Sequence, residues 1–205
     1  MHPEALTEKG KEIFAKLPAF AEYYLAGGTA LALHLGHRRS FDFDLFSSGS
    51  IPRELLLKVR RIFGAAVAAP SVNNPDELTV FVEGVKVTFL CYPFPLLTDV
   101  AWYEGMRLLS VRELAVTKAY TIGRRGTYKD YVDLYAILAG RHTSLEAIID
   151  LAKQKYLDEF NARLFLEQMI YLDDIEDTDI FFLGMSISKD DIQAFFESCV
   201  RDFKL

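Results

Sequence analysis

The fold class is indicated most clearly by residues 25–47, which read LAGGTALALHLGHRRSFDFDLFS. The apolar segment YYLAGG at 23–28 predicts a short buried strand that ends in a glycine pair. Thr29 then begins a short apolar helix, which Gly36 closes. The segment FDFDLF at 41–46 alternates between apolar and acidic residues, and this period predicts a second strand. A strand, a glycine turn, a helix and another strand therefore follow one another in this stretch.

The rest of the first half shows further helix and strand patterns. Amphipathic helices are predicted over residues 4–17 and 52–63. Two strands are predicted at 78–82 (LTVFV) and 85–90 (VKVTFL). The dipeptide Glu83-Gly84 between them is typical of a two-residue hairpin turn. The first half therefore reads as mixed α/β.

The second half is largely helical in pattern. Ser110 and Glu113 fit a capping box, which predicts the start of a helix. The segment GRRG at 123–126 predicts a break before another helix over 128–138, and a mostly helical pattern continues over 144–205. The whole chain is therefore expected to adopt an α/β (α+β) fold. We expect an α/β core and a C-terminal helical region packed on it, forming one domain or two, with bounds 1–105 and 106–205.

Composition narrows the functional class. The chain has 205 residues, of which 51% are hydrophobic, so it can bury a sizeable core. Its net charge of −6 is not that of an obvious nucleic-acid binder, although basic residues cluster locally as phosphate-binding patches or as solvated helix ends. No window reaches the roughly 18 apolar residues of a membrane span. Cys91 and Cys199 form no disulfide framework or zinc pattern, so we expect a cytoplasmic protein.

Asp42 and Asp44 are the first candidate site residues. In a strand, residues two apart point to the same face, so both carboxylates would lie opposite Phe41, Phe43 and Leu45, which would face the core. Two carboxylates this close repel each other unless a cation lies between them. Such oxygen ligands suit Mg²⁺ or Mn²⁺. Alone, a pair of this kind is more often a solvated strand face.

The glycine turn gives this pair a context. Gly27 and Gly28 allow the backbone to approach a phosphate, and the N–H groups of the following helical turn would point at it. The Thr29 hydroxyl would cap the helix or donate to the phosphate; an ordinary tight turn with a cap is the simpler interpretation. Together, the turn and the acidic strand place a phosphate cradle beside a metal pair, as phosphoryl transfer requires.

Two lysines extend the candidate site. Lys86 and Thr88 share a strand face, and they would face the same cleft if their strand neighbours the acidic one. Lys118 lies seven residues after Val111, inside the apolar stripe of its helix. A lysine there needs an anionic partner, such as a nucleotide phosphate, or a route to solvent.

Asp130 and Asp133 are three residues apart on the next helix, so they share a face. Arg124 and Arg125 lie close by in sequence. The group is either an ion-pair cluster that joins helices or part of a catalytic site, and the sequence alone leaves both interpretations open.

Together these segments resemble the AbiEii/AbiGii-type nucleotidyltransferases, the toxin-like branch of the polymerase-β superfamily. The matching text lies at 25–47, 85–97, 108–138 and 155–177, so the resemblance spans nearly the whole chain. It implies a mixed sheet flanked by helices, a C-terminal helical region, and Mg²⁺-dependent transfer of a nucleoside monophosphate from a nucleoside triphosphate. An RNA (such as tRNA) or a protein is the implied acceptor, and an antitoxin is the implied partner, with no membrane involved.

By position, the resemblance gives metal binding to Asp42 and Asp44, and a catalytic role to these two and Lys118. The residues expected to bind nucleotide are Gly27, Gly28, Thr29, Lys86, Thr88, Lys118, Arg125, Asp130 and Asp133.

Thr88 departs from the pattern of the superfamily. Many polymerase-β-type enzymes carry a third carboxylate on a neighbouring strand, and the corresponding position here is Thr88. A threonine cannot bind metal as an anion, so the general base is left unassigned. Three functions therefore stay open: an active nucleotidyltransferase that acts as a toxin, a catalytically weak or inactive nucleotide-binding regulatory module, and a protein-interaction module without a nucleotide site.

Overall fold

The computed structural model describes residues 1–203, apart from the side chain of Arg125. The chain divides into two compact units. The first comprises residues 1–95 and 99–109, and the second comprises residues 96–98 and the chain from Ser110 onward. The expected domain division at 105/106 stays a prediction. Among the helices of residues 1–203, none is long and apolar enough to cross a membrane.

The first unit is built on a mixed sheet with the strand order β3-β4-β5-β2-β1-β7-β6. The β1/β7 and β2/β5 pairs are parallel, and the other neighbours are antiparallel. The strands are β1 (Tyr24–Ala26), β2 (Phe43–Ser47), β3 (Val72–Asn73), β4 (Glu77–Val82), β5 (Val85–Cys91), β6 (Ala101–Tyr103) and β7 (Met106–Leu108). The α-helices are α1 (Glu8–Phe14), α2 (Gly27–Leu35) and α3 (Leu55–Phe63). The expected α/β class is confirmed.

The two faces of this sheet differ in chemistry. Phe43, Val87 and Val80 are aligned on β2, β5 and β4 by the strand register, and all three are buried. Since side chains alternate along a strand, Asp44 and Thr88 lie on the opposite face. One face therefore forms the apolar core, and the other presents polar groups.

In the first unit, the hairpin prediction holds and two other local predictions are wrong. Glu83 and Gly84 form the predicted hairpin turn, with φ of 51° and 85°. Phe41, expected in the core, is 43% exposed, because β2 begins only at Phe43. The helix predicted over 4–17 is interrupted, because the Thr7 side chain accepts a hydrogen bond from the amide of Gly10 and begins α1 one residue later.

The second unit is helical. α4 contacts α5, α6 and α7, and α8 packs on α5 and α7. The helices are α4 (Val111–Arg125), α5 (Tyr128–Ala139), α6 (Leu145–Tyr156), α7 (Ala162–Ile170) and α8 (Lys189–Asp202). The break predicted at 123–126 is shorter than expected, because α4 continues through Gly123. The chain leaves the helix at Gly126, and α5 begins after Thr127, whose backbone N–H donates to the Asp130 carboxylate at 2.9 Å.

A buried ion pair organises this unit around Glu113. The Ser110 hydroxyl accepts from the amide of Glu113 as predicted, but the Glu113 carboxylate does not complete the capping box. It accepts hydrogen bonds from the amides of Leu97 and Thr98 and an ion pair from Lys155 at 2.9 Å. The side chains of Lys155 and Glu113 are 0% and 1% exposed. The pair therefore ties α6 and residues 96–98 to α4.

Replacing Lys155 by methionine tests this role. Lys155→Met leaves the Glu113 carboxylate buried without its counter-charge, so we expect the free energy of unfolding to fall by about 3–5 kcal/mol. Urea denaturation followed by circular dichroism measures it. Lys153→Met, at an exposed position of the same helix, is the matched control and should change stability by less than about 0.5 kcal/mol. Equal effects of the two substitutions would refute the assignment.

Candidate active site

The candidate site is centred on Asp44 in β2, a strand in the interior of the sheet. The register partners of Asp44 are Ala26 in β1 and Thr88 in β5. Since Gly27 directly follows Ala26 and begins α2, the first turn of that helix lies against the Asp44 side chain. Asp44 is half-buried at this junction. The predicted proximity of the glycine turn and the acidic strand is thus present in the structure.

Gly27 makes the closest approach to this carboxylate. Its φ is +64°, a left-handed conformation that side chains other than glycine rarely adopt. A Cβ built on Gly27 would lie 3.1 Å from Asp44 Cγ and would overlap with Asp44 Oδ2. Backbone conformation and space therefore both require glycine here, and the absent side chain is what lets helix and carboxylate meet.

Thr29 holds the segment that leads into β2. It is 2% exposed, and its hydroxyl donates to the carbonyl of Asp42 and lies 2.7 Å from Ser40 Oγ. A hydroxyl carries one hydrogen, so Ser40 donates to Thr29 in turn. The Thr29 side chain thus bonds within the protein and fixes Asp42. A phosphate contact by Thr29 stays a prediction, and its backbone N–H is the group suited to make it.

The start of α2 is chemically suited to an anion. Its N-cap residue is Ala26, which has no side-chain oxygen to accept from the first amides of the helix, and Gly27 and Gly28 add no side chain above them. Such amides, aligned with the helix dipole, attract negative charge. The turn can therefore receive a phosphate next to Asp44.

The carboxylates of Asp42 and Asp44 match a divalent metal that also binds phosphate. Both residues are half-buried, and no cluster of three metal-binding side chains occurs in residues 1–203. Mg²⁺ commonly uses one or two carboxylates and completes its octahedron with waters and substrate phosphates, so this donor set fits. Because Asp42 precedes the strand, its placement depends on Thr29 and not on strand alternation.

Lys86 and Thr88 lie on β5, the strand that was expected to neighbour the acidic one. Thr88 pairs with Asp44, and Lys86 lies two residues earlier on the same face. Lys86 is half-buried, whereas Thr88 is 8% exposed. The structure therefore brings Gly27, Asp44, Thr88 and Lys86 onto one region of the sheet.

Two residues that sequence reasoning missed complete this polar face. Thr79 of β4 is the register partner of Thr88, and the two hydroxyl oxygens are 3.2 Å apart. The Thr79 hydroxyl also donates to Glu77 Oε1 at 2.6 Å. The alternation of Glu77 and Thr79 in ELTVFV is the signal that could have identified them, since both must lie opposite the buried Leu78 and Val80.

The other predicted site residues lie in the second unit. Lys118 Nζ is 2.8 Å from Asp130 Oδ1 and 2.6 Å from Asp133 Oδ2. The Lys118 side chain is 9% exposed and that of Asp133 is 0% exposed. The anionic partners that this core-facing lysine requires thus include the two predicted carboxylates. Nucleotide contact by these residues stays a prediction, and the side chain of Arg125 lies outside the described part of the chain.

Comparison with known proteins gives a family match over most of the chain. A family model described as nucleotidyl transferase AbiEii toxin, type IV TA system, matches residues 12–205. An uncharacterized protein of Aquifex aeolicus (strain VF5) is 27% identical over 184 residues, which cover 89% of this chain and 88% of that protein.

Two solved structures share the fold. MenT4, described as a nucleotidyltransferase toxin of Mycobacterium tuberculosis H37Rv, matches with a TM-score of 0.63 and 15% identity over 95% of this chain and 83% of its own. JHP933 of Helicobacter pylori matches with a TM-score of 0.53 and 18% identity, over 80% and 90% of the two chains. The fold expected from the sequence is thus confirmed.

Substitution of Gly27 tests the contact with Asp44. Gly27→Ala and Gly64→Ala both place a side chain at a positive φ, +64° and +67°, but Gly64 has no atom within 4 Å of the added Cβ. Both variants therefore carry the strain of a positive φ, and overpacking against Asp44 should cost Gly27→Ala about 1–3 kcal/mol more in the free energy of unfolding. Equal losses in urea denaturation would show that Gly27 does not press on Asp44.

The Thr29 hydroxyl can be removed at nearly constant volume. Thr29→Val leaves the Ser40 hydroxyl and the Asp42 carbonyl without their buried partner, which should lower the free energy of unfolding by about 1–3 kcal/mol. Thr29→Ser keeps the hydroxyl and should retain most of that stability. Thermal and urea unfolding of the three proteins measure the difference, and a valine variant as stable as the serine variant would rule out this anchoring role.

Proposed function

Because the family match spans residues 12–205, the chain belongs to the AbiEii nucleotidyltransferase toxin family and is a nucleotidyltransferase; we propose that it transfers a nucleoside monophosphate from a nucleoside triphosphate to a hydroxyl of an RNA or protein acceptor, with Mg²⁺ or Mn²⁺ as cofactor. The observation that supports this most is the contact of Gly27 with the Asp44 carboxylate. The start of α2, which is suited to an anion, lies beside a carboxylate oxygen that is suited to a metal.

We assign separate roles in this reaction to residues of the first unit. Asp42 and Asp44 would hold the divalent cation, which, when bound, neutralises phosphate charge. The amides at the start of α2, including those of Gly28 and Thr29, would hold phosphate oxygens and orient the α-phosphorus. The acceptor hydroxyl attacks that phosphorus, a new O–P bond forms, and the bond to the bridging oxygen breaks as pyrophosphate leaves. Lys86, on the same sheet face, adds positive charge for phosphate groups.

The candidate residues of the second unit form ion pairs with one another. We propose that Lys118, Asp130 and Asp133 contact nucleotide, as the family resemblance implies, yet their ion pairs also keep the buried Asp133 neutralised. Removing Lys118 would take a counter-charge away from that buried carboxylate, which would cost several kcal/mol of stability. A loss of activity in a Lys118 variant would therefore mix binding with folding, so Asp44 is the better position for a first test.

The family and the charge of the chain support proposals for the acceptor and for the partner. An RNA acceptor, such as a tRNA, would bind at the local basic clusters, because the chain as a whole has a net charge of −6. A protein acceptor, including the enzyme itself, is the alternative. We further propose that the protein acts in the cytoplasm as the toxin of a type IV toxin–antitoxin pair, with an antitoxin as partner.

A second function has one observation in its favour. Thr88, the register partner of Asp44, stands where a third carboxylate would act in related enzymes, and a threonine cannot take up a proton at neutral pH. A module that binds a nucleoside triphosphate without turnover would retain the glycine turn and the acidic pair but would need no base.

Label transfer tests these alternatives. The protein is incubated with Mg²⁺ or Mn²⁺, each α-labelled nucleoside triphosphate in turn and total cellular RNA. We expect label on RNA or on protein, reduced on the order of 10²-fold or more by Asp44→Asn because a charge that stabilises the transition state is lost. Asp150→Asn, at an exposed position of α6, is the matched control and should transfer label normally.

The outcomes distinguish the transferase from the non-catalytic module and identify the acceptor class. Label in the RNA fraction or in the protein fraction identifies the acceptor class. Metal-dependent triphosphate binding without transfer, lost in Asp44→Asn, would favour the non-catalytic module. If the protein shows no transfer and no triphosphate binding, the site assignment is refuted.

A further inference from the structure

The reaction proposed above lacks a group to receive the proton of the acceptor hydroxyl. Asp44, Thr88 and Thr79 are aligned side by side on β2, β5 and β4, because Asp44 pairs with Thr88 and Thr88 pairs with Thr79. Directly paired residues of neighbouring strands share a sheet face. The first side chain beside Asp44 on β5 is therefore a hydroxyl, and the next one on β4 is another.

These hydroxyls form a directed chain. The Thr79 hydroxyl donates to Glu77 Oε1 at 2.6 Å, and the Thr88 and Thr79 oxygens are 3.2 Å apart. The Thr79 hydroxyl is placed to donate to Glu77 Oε1 and to Thr88 Oγ1, but it has a single hydrogen. With that hydrogen on the carboxylate, the contact with Thr88 is left for the Thr88 hydrogen. The Thr88 oxygen then presents its lone pairs as an acceptor. The negative charge of Glu77 thus favours the orientation in which both hydroxyls donate towards Glu77.

Burial decreases along the hydrogen-bonded series from the two threonines to Glu77. Thr79 and Thr88 are 5% and 8% exposed, whereas Glu77 is half-buried. Two paired threonines would satisfy each other without a carboxylate and would fix no direction. With Glu77 they connect the surroundings of Asp44 to a carboxylate that has access to water, which is what a proton exit requires.

On the basis of the proposed transferase function, we propose that Glu77 is the base of this enzyme and acts through Thr79 and Thr88. As the acceptor oxygen bonds to the α-phosphorus, its proton passes to Thr88 Oγ1. The Thr88 proton passes to Thr79 Oγ1, and the Thr79 proton passes to Glu77 Oε1. Both hydroxyls end the step neutral, the pyrophosphate leaves with the electron pair of the broken P–O bond, and Glu77 later releases the proton to water. Of these three residues, Thr88 is the catalytic residue because it contacts the reacting hydroxyl, and Thr79 and Glu77, which act through it, are positioning residues.

The test measures label transfer as a function of pH at saturating triphosphate. Relative to the wild type, Glu77→Gln should lower kcat by about 10²–10⁴-fold, the usual contribution of a general base, with KM for the triphosphate unchanged. The acidic limb of the kcat profile should disappear, because glutamine does not titrate. The titratable neighbours Asp44 on β2, Asp76 before Glu77 and Lys86 on β5 are the same in both proteins, and β3 contributes only Val72 and Asn73, so the comparison isolates Glu77.

Variants of the hydroxyls separate relay from structure. Thr79→Val should reduce kcat as strongly as Glu77→Gln, Thr79→Ser should restore most of the rate, and the double variant Glu77→Gln/Thr79→Val should be no worse than either alone. Glu83→Gln, at an exposed position of the β4–β5 turn, is the matched control and should keep both rate and pH profile. Urea unfolding of each variant verifies that it is folded.

The outcomes distinguish this inference from the proposed function. A wild-type protein that transfers no label refutes both. A wild-type protein that transfers label, together with a Glu77→Gln variant that keeps its rate and its acidic limb, leaves the transferase intact and overturns the relay. A serine variant as slow as the valine variant would also overturn it, since the hydroxyl would then be without effect.

Discussion

The site depends on the antiparallel register of β1 on β2, which pairs Ala26 with Asp44 and so brings Gly27 against the carboxylate. This register is fixed by the core, because the neighbouring pair Leu25 and Leu45 is fully buried on the other face. A slip of one residue would exchange the two faces, bury the carboxylate and expose the leucine. The burial of the apolar face therefore specifies the geometry of the polar site on the other face.

In the second unit, buried charge has the organising role that the register has in the first. Lys155 with Glu113, and Lys118 with Asp133, are ion pairs removed almost completely from water. Such pairs gain little over apolar contacts, but each demands its partner at one place, because an unpaired charge there is costly. They fix the packing of α4 against α5 and α6. A substitution of Lys118 would therefore change the stability of the protein and the proposed nucleotide contact at the same time.

The sequence predicts what periodicity controls. The alternation of β2, β4 and β5, the hairpin at Glu83-Gly84 and the buried position of Lys118 all follow from local pattern. Partners distant in sequence could not be read from it. Thr29 was expected to cap a helix or meet a phosphate, whereas its hydroxyl bonds to Ser40 and Asp42 after the chain has turned back. Glu77 could not be identified from the sequence for the same reason, because it is connected to Asp44 only through the pairing of β2, β5 and β4.

The position of Glu77 also has an electrostatic consequence for the metal pair. A carboxylate at position 88 would add a third negative charge directly beside Asp44 and would increase the repulsion between the carboxylates. A neutral hydroxyl there removes that repulsion, while Glu77, one strand further away, interacts with Asp44 more weakly because Coulomb energy falls with distance. The arrangement would therefore lower the charge density at the proposed metal site and separate metal binding from the proposed proton acceptance. A metal bound by two carboxylates is held less tightly than one bound by three, so substrate phosphates would make up a larger share of its ligands. Binding of the cation and of the triphosphate would then be strongly coupled in this enzyme.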